Sequence, residues 1–259
     1  MNKKKIYTML ITLSVLFTFI SIVIADDNFE LSRAAYNGEI EKVKALIEAG
    51  ADVNSWSNLG AGKHTPLMFA VYKGHFEISK ILIEAGADVN ATHSTDHTVL
   101  YHALESHRLS TELVQLLVDS GVNIDDPNPL FWAIQSSIIA GEKSEVPKVM
   151  SILIDAGADV NKQDRTGFTV LMAAAFGGYD QLVNILLRSG AEINASMESG
   201  RTALALAVSM GHTETVRLLI EAGAFLETID ESGNTPLMIA KSKGFEEIVE
   251  LLKEAGAVK

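Results

Sequence analysis

The sequence predicts an all-α solenoid of about seven helix-turn-helix units, each followed by a hairpin-like loop. Three observations lead there. A glycine-containing phrase returns along almost the whole chain, and a short apolar phrase led by Thr or Asn precedes nearly every return. The composition (259 residues, 47% hydrophobic, five Pro, no Cys) suits a packed array rather than a disordered chain. With no Cys there is no disulfide, no thiolate metal site and no cysteine nucleophile.

The glycine phrase reads "EAGADVN" at 48–54 and 84–90 and "DAGADVN" at 155–161. Weaker copies read "DSGVNID" (119–125), "RSGAEIN" (188–194), "EAGAFLE" (221–227) and "EAGAVK" (254–259). The glycines Gly50, Gly86, Gly121, Gly157, Gly190, Gly223 and Gly256 are spaced 36, 35, 36, 33, 33 and 33 residues apart. The leading phrases are "TPLMFA" (65–70), "TVLYHA" (98–103), "NPLFWA" (128–133), "TVLMAA" (169–174), "TALALA" (202–207) and "TPLMIA" (235–240). Thr or Asn suits a helix N-cap, and Pro is tolerated in the first turn. Gly74, Gly178, Gly211 and Gly244 stop this first helix as left-handed residues can. A second helix follows, as in "HTETVRLLIEAG", where Val216, Leu219 and Ile220 share one face. Polar links such as "DRTG" (164–167) and "DESG" (230–233) then turn the chain. One unit cannot bury both apolar faces, so the units stack.

These phrases closely resemble the ankyrin repeat over residues 29–259, with units near 29–60, 61–92, 93–125, 126–162, 163–195, 196–228 and 229–259. The first lacks the TPL phrase and the last stops after its second helix, so both read as caps. One departure runs throughout. The family's His at the fourth position of the leading phrase is replaced by Met68, Tyr101, Phe131, Met172, Ala205 and Met238, so apolar packing is expected in its place.

Ahead of the repeats, "MNKKKIYTMLITLSVLFTFISIVIADD" has Lys3, Lys4 and Lys5, then a largely apolar run from Ile6 to Ile24. Residues 1–25 read as a secretory signal peptide. The alternative is an uncleaved anchor, because the run is long. Either reading places the repeats outside the cytoplasm, in a periplasm or a secreted fraction. Loss of 1–25 removes three Lys and no acid, so the net charge of −12 becomes −15. That charge repels phosphate backbones and excludes a nucleic-acid partner. It suits a basic protein partner, although solubility alone also explains it.

A search for chemistry finds little. "GAGKHT" (60–65) lacks the first Gly and the final Ser or Thr of a P-loop, with Ser57 and His64 there instead. His93, His97, His102 and His107 invite a zinc reading, and a metal-binding protein is kept as a minor alternative. Geometry speaks against it: His93 and His97 fall in a loop, and His102 and His107 lie roughly 140° apart around a helix. His102 sits where other repeats carry Phe69, Trp132, Leu206 or Ile239, which predicts partial burial. His75 and His212 belong to a Gly-His turn. No cofactor is expected, and no set of acid, base and nucleophile converges, so an enzyme is not expected. Glu48, Glu84, Asp119, Asp155, Glu221 and Glu254 each precede a helix-ending glycine by two residues and predict a ridge of charge, broken by Arg188. It is either a docking strip for a basic partner or a solvated edge copied by duplication.

The resemblance implies that binding uses the finger tips and the exposed ends of the first helices. Carried onto this chain, the helix ends give Tyr36, Tyr72, Lys73, Gln135, Phe176 and Met210, and the fingers give Trp56, His97, Arg165, Phe168 and Arg201. Large apolar groups with Arg beside them are enriched at protein interfaces. The expected function is therefore a non-enzymatic, monomeric protein-interaction module outside the cytoplasm. Analogy with exported members of the family adds inhibition or protection of an envelope enzyme. A membrane-tethered scaffold is the alternative if the leader stays attached.

One repeat breaks the period. Eight residues, Ser137–Ser144, are extra, and the loop before them (125–128) is about five residues short. Leu130, Ile134 and Ile138 are spaced i, i+4, i+8, which extends the first helix toward Gly141. Ile138 and Ile139 are then expected beside the binding face, unless the insertion is merely tolerated.

Overall fold

The computed structural model describes residues 27–59, 63–93, 97–105, 109–124, 128–140 and 145–258, and of 136–140 the backbone only. The leader expected over 1–25, His107, Gly141 and the side chains of Ile138 and Ile139 lie outside the described residues. Fourteen helices account for nearly all the regular structure there. The described residues fall into two compact units, up to Asn123 and from Ile124 onward.

In the first unit, α1 runs through 27–37 and is followed by α2 (Ile40–Glu48), α3 (Pro66–Lys73), α4 (Phe76–Glu84), α5 (Val99–Glu105) and α6 (Thr111–Asp119). First helices pack on first helices, α3 against α5, and second helices on second helices, α2 against α4 and α4 against α6. Between α2 and α3 the finger closes as a two-stranded ribbon, β1 (Ser57–Asn58) against β2 (Lys63–His64). The next finger closes on a Thr92–Thr98 bridge.

The second unit holds α7 (Pro129–Ala140), α8 (Glu145–Asp155), α9 (Val170–Gly177), α10 (Asp180–Arg188), α11 (Ala203–Met210), α12 (Thr213–Glu221), α13 (Pro236–Lys243) and α14 (Glu246–Glu254). The alternate packing repeats: α7 on α9 on α11 on α13, and α8 on α10 on α12 on α14. Helix α7 has 12 residues where α9, α11 and α13 have 8, so the insertion does continue the first helix, through Ala140. Pro147 lies in the first turn of α8, where its missing N–H leaves no intrahelical bond unmade.

Local chemistry sets these boundaries. Thr65, Thr169, Thr202 and Thr235 each cap a first helix by accepting the amide N–H three residues on. The first helices α3, α9 and α11 are largely buried: in α11 every residue from Ala203 to Val208 is. The second helices bury only a stripe, such as Leu182, Val183 and Leu186 in α10. The apolar replacement of the family's His is only partly buried. Met68, Met172 and Ala205 are buried, Tyr101 and Phe131 are half-buried, and Met238, in the final repeat, is 39% exposed. Among the described residues, α13 packs on α11 and α14, and no first helix covers Met238 on its other side.

Where a repeat ends in "GADVN", two bonds from its asparagine tie it to the next. Asn54 Nδ2 donates to the Gly86 carbonyl (3.0 Å), and its Oδ1 accepts from the Asp88 amide (2.7 Å). Asn90 does the same to Gly121 and Asn123, and Asn161 to Gly190 and Glu192. The Gly-His turn adds a third tie. The His75 ring donates to the Tyr36 carbonyl (3.2 Å) and the His212 ring to the Phe176 carbonyl (2.9 Å). Gly178 makes room for that ring: a Cβ there would lie 2.5 Å from His212 Nδ1, at a φ of +67°. Gly223 has a comparable φ of +92° and open space around it.

This contrast is testable. Gly223→Ala should lose about 1–2 kcal/mol for its left-handed backbone alone. Gly178→Ala should lose that and about 1–3 kcal/mol more for the displaced His212 ring. Urea denaturation of the two variants measures the difference.

Candidate protein-binding surface

In the first unit the ends of α1 and α3 present Tyr36 and Tyr72, each 38% exposed. Lys73 joins them: its ammonium lies 4.2 Å from the Tyr36 ring centroid and 5.6 Å from that of Tyr72. Tyr36 also meets Phe69 edge to face at 5.8 Å, which fixes one edge of the ring against the core. A cation held between two half-exposed rings is a rigid, partly desolvated patch. Trp56, in the first finger, is 46% exposed.

Behind this patch lies a feature that the sequence reading separated. His64, from β2, stands 4.8 Å from the His93 ring and 5.0 Å from the His102 ring. His97 is 6.1 Å from His102 and stacks on Tyr101 at 3.9 Å, so it is half-buried rather than a free finger contact. The sequence alone does not bring His64 to these histidines, and His107 lies outside the described residues. His64 and His97 hold the same register, each just before a capping Thr, and both rings lie near His102. His93 occupies the place of Asp164 and Asp230 in later fingers, where its amide donates to the His97 carbonyl and closes the hairpin. His102 is 5% exposed, beyond the partial burial expected, and among the described residues neither ring nitrogen has a hydrogen-bond partner. Burial first, and then the neighbouring His64, His97 and His93, push its pKa down to about 3. Among the described residues, no group of three or more His, Cys, Asp or Glu side chains could hold a metal ion.

In the second unit Phe176 (46% exposed) and Met210 (45%) close the ends of α9 and α11. Beside them an open cavity of about 460 Å³ is lined by Phe131, Trp132, Ile134 and Gln135 of α7 and by Gln163, Asp164 and Phe168 of the next finger. Phe168 is therefore not a free finger tip: it is half-buried and stacks on Phe131 at 5.9 Å. Gln135 is exposed at the rim. The finger before α7 is the short one, so no long loop is available to fill this space.

Rigid turns hold the fingers here. Asp164 Oδ1 accepts from the Thr166 hydroxyl and from the Thr166 and Phe168 amides. Burial raises its pKa, but these bonds together outweigh it, so the carboxyl stays below its usual range. Asp230 is likewise lowered, first by the Asn234 amide, and its charge is helped by Arg201. Finger meets finger through Glu198 N–H to the Thr166 carbonyl and Glu231 N–H to the Ser199 carbonyl, both 3.0 Å. Arg165 and Arg201 are exposed along this edge. The seven charged positions before the helix-ending glycines, Arg188 included, are all exposed at the ends of second helices.

The sequence reading missed Phe225 (64% exposed) and Ile229 (60%). The signal was present: Phe225 stands where other repeats carry Asp52, Asp88 or Asp159.

Comparison with known proteins decides the family. The ankyrin-repeat model ("Ankyrin repeats (3 copies)") matches residues 31–128, 110–197 and 176–259. The chain belongs to the ankyrin-repeat family. It is 33% identical over 164 residues to the mouse ankyrin repeat, SAM and basic leucine zipper domain-containing protein 1. That match covers 63% of this chain and 26% of the relative, so the chain spans about a quarter of that protein. The ankyrin repeat domain of Bcl-3, described as a unique member of the IκB family, superposes with a TM-score of 0.70 at 26% identity, covering 86% of this chain and 97% of that one. The human ASB11 ankyrin repeat domain gives a TM-score of 0.72 at 24% identity, covering 88% and 98%, and shares the fold. Ankyrin repeats are protein-protein interaction modules, which is the coarse function of this chain.

Burial of neutral His102 makes stability depend on pH. Its folded pKa lies below its unfolded value near 6.5, so its contribution is complete above about pH 6.5. It is lost as the pH falls toward about 3, at up to about 1.4 kcal/mol per pH unit. In chelator-treated buffer the thermal midpoint should fall between pH 7.5 and 4.5. His102→Leu, which copies buried Leu206, should reduce that fall; an unchanged pH profile in the variant contradicts the assignment.

Proposed function

We propose that this chain is a non-enzymatic binding module acting outside the cytoplasm, and that it holds a protein partner on the first-helix ends and the fingers beside them. One observation carries the reading. Tyr36, Tyr72, Phe176 and Met210 are exposed apolar groups at the ends of first helices, and in α3, α9 and α11 the rest of the helix is largely buried. The Lys73–tyrosine patch in one unit and the aromatic cavity in the other supply anchor points of the kind on which binding energy concentrates. Gln135, Arg165 and Arg201 provide a polar rim.

The exposed acids at the second-helix ends favour a partner with basic groups and speed its approach. Export rests on the lysine-led apolar segment of residues 1–25. Among the described residues no helix is long and apolar enough to cross a membrane, so tethering would depend on that segment. Inhibition or protection of an envelope enzyme is the role by analogy with exported relatives.

A Tyr72→Ala, Phe176→Ala double variant tests the surface. It should keep its helical circular dichroism and lose the protein that wild type captures by cross-linking in its native compartment. Both substitutions remove half-exposed side chains, so folding should survive. Undiminished capture by the variant contradicts the surface.

A further inference from the structure

We propose that the open cavity between α7 and the finger that follows α8 takes an arginine side chain presented by an extended segment of a protein partner. This rests on the reading of the first-helix ends and fingers as a protein-binding surface, and says what one part of that surface holds.

The wall of the cavity is aromatic. Phe131 and Trp132 of α7 and Phe168 of the finger border a space of about 460 Å³, a size typical of clefts that hold a bound group. Phe131 and Phe168 stack at 5.9 Å with 30° between their planes, so this wall is built of flat rings. A guanidinium is planar and weakly hydrated. It lies on such rings at a lower desolvation cost than an ammonium does.

The rim is polar and carries one sign of charge. Gln135, Gln163 and Asp164 line the cavity and are exposed, and among the described residues no Lys, Arg or His lines it. The three hydrogen bonds that Asp164 receives, from the Thr166 hydroxyl and the Thr166 and Phe168 amides, all go to Oδ1. They fix the carboxylate in place and leave the Oδ2 lone pairs to an incoming donor. The amide oxygens of the two glutamines can accept further N–H groups. A fixed carboxylate beside a flat aromatic wall suits a cation whose N–H donors lie in one plane. A neutral apolar side chain in the same place would desolvate Asp164 and give it no partner.

The chain carries a precedent for this pairing. Asp230 holds the register of Asp164, five residues before a capping Thr, and its Oδ1 likewise accepts from the Ser232 and Asn234 amides. There the Asn234 amide, and with it the positive charge of Arg201 from the preceding finger, favours the ionised carboxylate. Arg201 stands immediately before the capping Thr202. The corresponding place before Asn128 is taken by Pro127, and residues 120–128 contain no Lys or Arg. The arginine that the repeat supplies to Asp230 from within the chain therefore comes to Asp164 from a partner.

The test is nuclear magnetic resonance of the 15N-labelled full chain, titrated with acetyl-Gly-Arg-Gly-amide and with the same peptide carrying Lys or citrulline in place of Arg. The Arg peptide should shift the Trp132 indole signal and the Gln135 and Gln163 side-chain amides saturably. The Lys peptide should bind more weakly, and the neutral citrulline peptide weaker by about tenfold or more. Asp164→Asn keeps the Oδ1 acceptor of the turn and loses the charge, so it should weaken the Arg peptide by about tenfold while the helical circular dichroism stays unchanged. Phe168→Asn, which copies Asn234, should do the same by removing part of the wall; if it does not fold, Asp164→Asn decides alone. No saturable shift with the Arg peptide, equal affinity for the Lys or citrulline peptide, or unchanged affinity in Asp164→Asn overturns the assignment. The capture test of the Tyr72→Ala, Phe176→Ala variant reads the surface separately. Lost capture there with no arginine binding here removes the cavity assignment and keeps the surface; undiminished capture there removes the surface and the protein source of the arginine with it.

Discussion

Where a repeat ends in the "GADVN" phrase, one asparagine holds it to the next. The last residue of the "GADVN" phrase reaches forward, donating to one carbonyl and accepting from one amide of the following repeat. Apolar stacking supplies most of the attraction but little direction. The asparagine supplies the register, because both its bonds are satisfied at only one offset between neighbours. Those bonds lie at the exposed edge of the stack, where each contributes about 0.5–1.5 kcal/mol.

Fixed register is what turns a repeated scaffold into a specific surface. A given position in one repeat always lies beside the same position in the next, so a sequence change at that position alters a column rather than a point. Tyr36 and Tyr72 close around Lys73 on this principle. His64 meets His93 and His102 for the same reason. In the second unit Phe131 and Phe168, from successive repeats, stack and line the open cavity. The surface proposed for recognition is therefore built from departures from the repeat, and stability resides in adherence to it.

Much of this was legible in the sequence. The helix pairs, their capping threonines and their left-handed glycines follow from the repeated phrases, because caps and turns depend on local chemistry. The long α7 followed from the spacing of Leu130, Ile134 and Ile138. Exposure of Tyr36, Tyr72, Phe176 and Met210 followed from register. What failed was reasoning within one segment about contacts between segments. The histidines of residues 93–107 were judged on one helix and one loop, whereas their neighbour His64 comes from the preceding finger. Phe168 was read as a tip because its stacking partner, Phe131, lies 37 residues earlier. Aligning the fingers on their capping threonines exposes both pairs.

The most direct test of the asparagine clamp is hydrogen exchange of Asn161→Ala and Asn161→Asp beside wild type. Asp retains the acceptor for the Glu192 amide and loses the donor to the Gly190 carbonyl; Ala loses both. Exchange across 186–195 should accelerate roughly tenfold or more in Ala, as expected for the loss of about 1–3 kcal/mol of local stability, and less in Asp. Residues 27–123 should be unaffected. Protection across 186–195 that is the same in all three proteins would contradict the clamp as the element that sets the stack.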